Sequence, residues 1–498
     1  MYDRESKRDQ LIEKVKTLSP FELKDELINL AKKSERKGVR VLLNAGRGNP
    51  NWTASTPRQS IFTLGQFAVN ESQRVWCDGD LAGMPEKQGI YDRFKTYYNE
   101  RKNVEGIELL DKIIDYGIEK HNFEPDSWVF ELVDGIIGDN YPAPDRMLIR
   151  IKKVVGEYLI KEMGGNSKDE TQDLFAVEGG TAAMCYIFDS LIANYLMNKG
   201  DKLALMVPIF TPYIDIPDLP RYKFDVVEVR ASSMNYLKKI VEEKNPNLII
   251  ITDDVYGTFA DNFKSLMVTM PFNTLGVYSF SKYFGVTGWR LGVIALAKDN
   301  IFNKLISELA NDKKDIIAKR YSSLTTEPEK IKFIDRIVAD SRHVALNHTA
   351  GLSTPLQVQM AIFSIFPLLD SDNRYKEKTK FICRKRKQLL YDNLIGLPIK
   401  VDPYSTSYYN QYDLLIWAKM KYGEDFARYL EKERDVIEFL FELVERHSIV
   451  LLNGGGFEGP TWSIRVSLAN LKDEQYIEIG KAINNLFDEY ARDWKESR

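Results

Sequence analysis

Through the middle of the chain, short apolar runs alternate with longer amphipathic stretches. From about Asp145 to Lys298 the runs DLFAVEGG, KLALMVPIF, FDVVEV, NLIIITDDVYG, LGVYSFSK and LGVIALAKD read as strands, and RMLIRIKKVVGEYLIKEMGG reads as a helix closed by glycines. Near-continuous apolar strands separated by helical or loop stretches predict an α/β domain with a mostly parallel sheet covered on both faces. Earlier, Ser19-Pro20 ahead of FELKDELINLAKK predicts an N-cap with proline at the first helical position, and VLLNAGRGNPNW a short strand broken by a turn. After about Phe366 the texture changes to a second lobe, with helices in GEDFARYLEKERDVIEFLFELVERH and a late strand, WSIRVSLA. RKRK at 384–387 lies in a long helical stretch and reads as a solvated face. There is no internal repeat or low-complexity linker, so pattern alone sets the expected domains. They are a small domain with an N-terminal arm (1–75 and 366–498), a helical insertion and connecting segment (76–145), and a large domain (146–365).

Composition narrows the function classes. At 498 residues the chain is long enough for two lobes around a cleft, and its 44% apolar and 28% charged residues suit a globular protein. A formal charge of −3 offers no basic surface for nucleic acid or an anionic membrane, which points to small molecules and further copies of the chain as partners. Three scattered cysteines make no disulfide framework, and four histidines without HExxH or a cysteine at ligand spacing predict no metal site. The opening MYDRESKRDQ lacks the apolar stretch of a signal peptide, and no run approaches a membrane span. A cytoplasmic protein is expected.

Candidate chemistry centres on YSFSKYFGVTGWRLG, residues 278–292. Ser-x-Ser-Lys just beyond a buried strand puts Lys282 at the C-terminal edge of the sheet, where α/β folds bind ligands, and Arg290 precedes the next strand. A flexible amine suits attack on a carbonyl; a planar guanidinium suits a phosphate, to which Ser279 and Ser281 add hydroxyls. Alone, the tetrapeptide reads better as a chance loop with a surface lysine. Four further segments agree with the chemical reading. In IIITDDVYG, Asp253 can keep a pyridine nitrogen protonated and Tyr256 can hydrogen-bond the ring's O3′, although Asp253 could simply cap a turn. VEGGTAAM sets Gly179 and Gly180 between strand and helix, where bare N–H groups bind phosphate. Phe210 in VPIFTPY offers a plate to stack on such a ring. Arg465, inside an apolar β-run, needs an anion, either a buried acid or a substrate carboxylate.

In this chain order the segments resemble the aspartate aminotransferase superfamily of pyridoxal-phosphate (PLP) enzymes, across most of the chain. The resemblance implies fold type I, with a seven-stranded type of sheet in the large domain and a smaller α+β domain. It implies Lys282 as the Schiff-base lysine, Asp253 on the pyridine nitrogen and Tyr256 on O3′. It places Arg290, Ser279, Ser281, Gly179 and Gly180 around the phosphate, Phe210 on the ring and Arg465 on the substrate α-carboxylate. LSPFELKDEL, NAGRGNPN, LAGMPEKQGIYDRF, GDNYPAPDRML, ITDDVYGTF and HTAGLSTPLQVQMAIFSIF look like one branch, the aspartate 4-decarboxylases, which convert L-aspartate to L-alanine and CO2 and transaminate aspartate with 2-oxo acids as a side activity. For that branch Arg47, with Gly48 beside it, is the candidate near the β-carboxylate; Lys24 and Tyr141 are secondary candidates. A homodimer that assembles further is implied.

The chain also departs from the superfamily pattern. The Asn-Pro-x-Asn-Pro type loop expected between Phe210 and Asp253 is missing, and Asn245-Pro246 reads as a helix exit rather than a substitute. A sheet one strand short is therefore expected. The stretch before Gly83-Met84-Pro85 also lacks the tyrosine that plain aminotransferases offer a neighbouring subunit's phosphate. Two alternatives stand beside the decarboxylase: a plain class I aminotransferase, and a shortened, catalytically impaired PLP-binding homologue.

Overall fold

The computed structural model describes residues 13–16, 18–35, 41–166, 172–230, 234–344, 351–397 and 405–498. His348 and the start of the HTAGLSTP motif lie outside the described residues. The expected elements form. The first helix, α1 (Pro20–Glu35), carries a reciprocal cap: the Glu22 amide donates to Ser19 Oγ at 3.4 Å and the Ser19 amide to Glu22 Oε2 at 3.2 Å. In chain order there follow β1 (Leu43–Asn44), four helices α2 to α5 (Ser55–Arg74, Ile90–Glu100, Ile107–His121, Pro125–Ile137) and α6 (Ile149–Glu162). Next come β2 (Gln172–Val177), α7 (Gly180–Ala193), β3 (Lys202–Val207), β4 (Asp225–Arg230), β5 (Ile250–Asp253), β6 (Thr274–Ser279) and β7 (Gly292–Ala297). Four short strands complete the set: β8 (Tyr409–Asp413), β9 (Ile449–Val450), β10 (Leu452–Asn453) and β11 (Ser463–Ser467).

The chain divides into two units. One comprises residues 53–198 and 233–377, with a four-stranded sheet in the order β2-β7-β6-β5. Strands β2, β5 and β6 run one way and β7 runs against them. Every residue of β2 and β6 is buried, as two-faced cover requires. The other unit comprises residues 1–52, 199–232 and 378–498. Its core gathers Leu23 and Leu27 of α1, Trp417, Phe439, Ile464, Val466 and Phe487. Around that core lie the β1–β9 pair and an antiparallel β10-β11-β8 sheet.

The missing strand shows in the sheets. Strands β3 and β4 pair with each other in parallel, and among the described residues neither joins the β2-β7-β6-β5 sheet. The described residues thus form a sheet of four strands and a separate pair, not the seven in one ladder that the resemblance implied. Residues 199–232, expected in the large domain, fall in the other unit, while 53–75, expected in the small domain, fall in the unit that holds the four-stranded sheet. Met206 of β3 and Val227 of β4 are exposed, 48% and 43%, although their apolar runs read as buried strands. The RKRK run departs from expectation too. Arg386 is buried, with Nε donating to Asp473 at 3.0 Å and Nη1 to the Leu468 carbonyl at 3.2 Å, so only part of the run is a solvated face.

Candidate active site

In the unit built on β2-β7-β6-β5, two loops carry the expected cofactor residues. The first lies between β2 and α7. Gly179 sits at φ +91°, which favours glycine, and a methyl on its Cα would stand 2.7 Å from Arg290 Nη2 and push that guanidinium aside. The same closeness requires Gly292, where a Cβ would come within 2.6 Å of Gly179 Cα; its part in the site is visible only in the fold. The first turn of α7 leaves its N–H groups without helical partners, with Arg290 alongside. Arg290 is exposed, in the left-handed region at φ +57°, and among the described residues it has no carboxylate partner; its one hydrogen bond there, at 3.5 Å, goes to the Thr287 carbonyl. A cation without an acid, beside a helix N-terminus opened by Gly179 and Gly180, fits a phosphate.

The second loop follows β6. Ser279 and Ser281 are buried and linked, Oγ to Oγ, at 2.9 Å, and Ser279 Oγ also lies 3.2 Å from the Leu291 carbonyl. Lys282, half-buried, begins the turn after them. Asp253 ends β5, exposed, with Oδ1 accepting the Val255 amide at 3.1 Å; the turn-capping role and the presentation of a carboxylate coexist. Tyr256 follows, half-buried. Directly beneath, Asp254 is buried. It accepts from Thr252 Oγ1 at 2.8 Å and Ser265 Oγ at 2.5 Å, and burial pushes its carboxyl up to about 6 against the pull of those two hydroxyls. Next to Gly179, Glu178 accepts from Tyr186 Oη at 3.2 Å; burial, with that carboxylate nearby, pushes the phenol up to about 12. Tyr141 is exposed on the segment after α5.

The other unit gathers the remaining candidates. On β11 Arg465 lies opposite Gln411 of β8, and its guanidinium is sandwiched 3.8 Å from the Tyr409 ring centre and 4.1 Å from that of Phe457. Among the described residues it makes no ion pair, so the buried-acid alternative is not what the fold provides. Phe457 meets Phe21 edge-on (6.1 Å), Phe21 meets Phe210 (5.8 Å), and Lys24 lies over Phe21 (5.3 Å) while pairing with Asp25 (3.3 Å). Lys24, Phe210 and Arg465 thus share one aromatic cluster. Arg47 is exposed on a loop pinned by backbone bonds: the Ser467 amide donates to the Ala45 carbonyl at 2.8 Å and the Asn51 amide to that of Ala469 at 2.8 Å. Tyr408 Oη holds the Gly48 carbonyl at 2.8 Å, one residue from the ring that stacks on Arg465. The sequence marked Arg465 by its apolar surroundings but not its two aromatic plates, because Tyr409 and Phe457 read as ordinary core residues.

Comparison with known proteins agrees. Residues 230–483 match the family model "Aminotransferase class I and II". A curated protein of a Pseudomonas species, "Bifunctional aspartate aminotransferase and L-aspartate beta-decarboxylase", is 44% identical over 520 aligned positions, covering 96% of this chain and 97% of that one. An aspartate aminotransferase of Sulfolobus acidocaldarius is 35% identical over 24% of this chain and 28% of its own. Among solved structures, a Thermus thermophilus aspartate aminotransferase mutant superposes with a TM-score of 0.55 at 14% identity, covering 93% of this chain and 96% of that chain. The Escherichia coli methionine aminotransferase YbdL gives 0.54 at 11%, with the same coverage. At such identities the structures speak for the fold, which is that of the fold-type-I PLP enzymes. With most of its length aligned to one curated relative and half of it to the family model, this chain belongs to the class I and II aminotransferases, a family of PLP-dependent enzymes.

Proposed function

We propose that the chain converts L-aspartate to L-alanine and CO2 with PLP, and transaminates aspartate with a 2-oxo acid such as 2-oxoglutarate as a side activity. The observation that carries this reading is an arginine held between two aromatic plates with no acid of its own, in a chain 44% identical throughout to a protein named for both activities. Arg465 would take the α-carboxylate bidentately. Arg290, the α7 N-terminus and the Ser279–Ser281 pair would hold the phosphate of PLP, Asp253 its ring nitrogen, Tyr256 its O3′, and Phe210 its face. Bound PLP supplies an electron sink at the substrate nitrogen. Lys282 would act as the base that takes the proton from Cα. Loss of the β-carboxylate as CO2 breaks the bond from Cβ to that carbon, a proton delivered to Cβ would complete the methyl group, and Lys282 would hand the first proton back to Cα to give alanine. A homodimer that assembles further, in the cytoplasm, is part of the proposal, with exposed Tyr141 available to a second protomer. Among the described residues no helix is long and apolar enough to cross a membrane.

The test is the alanine formed when PLP-supplemented protein receives L-aspartate and no oxo acid. Many alanines per site establish the decarboxylase. At most one turnover, restarted by a 2-oxo acid, means a plain aminotransferase. Absence of product under both conditions selects the shortened, impaired homologue. For Arg47, placed by the branch resemblance near the β-carboxylate, Arg47→Ala is expected to shift the ratio of decarboxylation to transamination. An unchanged ratio removes it from the mechanism.

A further inference from the structure

The turn that carries Lys282 is held from outside by an arginine that no sequence motif marks. Within the turn, the Phe284 amide donates to the Phe280 carbonyl (3.3 Å) and the Val286 amide to that of Ser281 (3.1 Å), while Gly285 takes φ +65°. This is a single helical turn ending in a left-handed glycine, and its last carbonyls lack helical partners. Arg58, in the first turn of α2, satisfies them. Its Nη1 donates to the Phe284 carbonyl at 3.3 Å and to Ala54 of its own helix at 3.0 Å, and its Nη2 donates to the Gly285 carbonyl at 2.7 Å. The Ala54 amide adds a bond to the Phe284 carbonyl at 3.2 Å, and Tyr375 Oη holds the Tyr283 carbonyl at 2.8 Å. Beyond the turn, the Arg58 guanidinium lies over the rings of Trp289 (5.4 Å) and Phe363 (5.9 Å), and Trp289 adjoins Arg290. Among the described residues Arg58 has no carboxylate partner. Such a half-buried guanidinium, engaged by backbone carbonyls and rings, has positioning as its evident use.

We propose that Arg58 is a positioning residue for Lys282 and Arg290: its planar fork fixes the turn from which the lysine projects, and its stacking on Trp289 fixes the residue before Arg290. The inference rests on Lys282 being the PLP lysine. It needs the guanidinium, since an ammonium has neither the rigid planar fork that reaches both carbonyls and Ala54 at once nor a flat face to stack.

The experiment compares wild type, Arg58→Met and Arg58→Lys as full-length proteins purified in PLP. Hydrogen exchange is followed across residues 281–289, and the visible absorption of bound PLP is titrated with pH. Losing two hydrogen bonds of about 1 kcal/mol each should speed exchange in that segment by about thirtyfold in Arg58→Met, with β2 unchanged. Removing a cation near Lys282 should raise the pH midpoint of the absorption change in Arg58→Met; Arg58→Lys should restore the midpoint but not the slow exchange. Unchanged exchange at 281–289, or a midpoint equal to wild type in Arg58→Met, overturns the proposal, whatever happens to the melting temperature. Should Arg58→Met fail to fold, Arg58→Lys carries the test through its exchange. Wild-type protein without a PLP absorption band defeats the Lys282 assignment separately, and Arg58 as its positioning residue falls with it.

Discussion

Arg465→Met is expected to leave PLP binding and the melting temperature close to wild type while lowering kcat/KM for L-aspartate by about thirtyfold to a few thousandfold. Losing one partner of a desolvated, hydrogen-bonded charge pair costs about 2–5 kcal/mol, and each ~1.4 kcal/mol is a tenfold change. The fold should tolerate the loss because Arg465 bonds to no acid among the described residues. A methionine stem can occupy the slot between Tyr409 and Phe457, and its sulfur packs well on aromatic rings. Arg465→Lys should fare little better than methionine. The ammonium keeps the charge but gives up both the fork that matches a carboxylate and the flat face that two rings clasp. Steady-state kinetics with L-aspartate, alongside PLP absorbance and thermal melts, decide it. A loss under tenfold in both variants would show that another group holds the α-carboxylate.

How much of this was legible in the sequence depends on the range of the interaction. Lys282, Arg290, Asp253, Tyr256, Gly179 and Gly180 stand at strand ends or strand-to-helix turns, and local pattern locates such places. Their places in the fold could therefore be read before any coordinates. Arg58 could not. Its partners, the Phe284 and Gly285 carbonyls, lie more than two hundred residues away and belong to the backbone, so no residue type announces them. Arg386 misled in the same way: a basic run looks solvated until Asp473 is folded against it. Gly292 is needed because Gly179 lies against it, a closeness created by antiparallel pairing of β2 with β7. The absent strand was legible as a missing motif. What its absence does to β3 and β4 could be seen only in the sheets, since their apolar sequences still read as buried strands while Met206 and Val227 stand open.

Restoring that strand should have the largest effect of any change on stability. The alignment with the Pseudomonas relative runs over 520 positions, more than the 498 residues of this chain, so the relative carries residues with no counterpart here. The interval from Phe210 to Asp253, which lacks the expected Asn-Pro-x-Asn-Pro loop, points to the stretch between β4 and β5. A chimera with the relative's additional residues inserted there should pair with β5 along its open edge. The magnitude follows from what that edge now faces. Only Ile250 of β5 is buried; Ile251 and Thr252 are half-buried and Asp253 exposed, so water can meet much of the edge and the full penalty for buried, unsatisfied groups, about 1–3 kcal/mol each, does not apply. The gain is instead the net value of new ladder bonds, about 0.5–1.5 kcal/mol apiece. Cover for Met206 and Val227 would add to it, at roughly 25 cal/mol per Å² of apolar surface buried. Several kcal/mol in all corresponds to a rise of roughly 5–15 °C in Tm, since 1 kcal/mol moves a domain of 150–250 residues by ~2–4 °C. The same insertion should fix the end of β5, and with it the Asp253 carboxylate, so alanine formed per site from L-aspartate should rise as well. A chimera that melts where the present chain does would show that β3 and β4 are content outside the sheet. One that melts higher without forming more alanine would separate the stability of the sheet from the placement of Asp253, and the carboxylate would then owe its position to Val255 and the buried Asp254 turn alone.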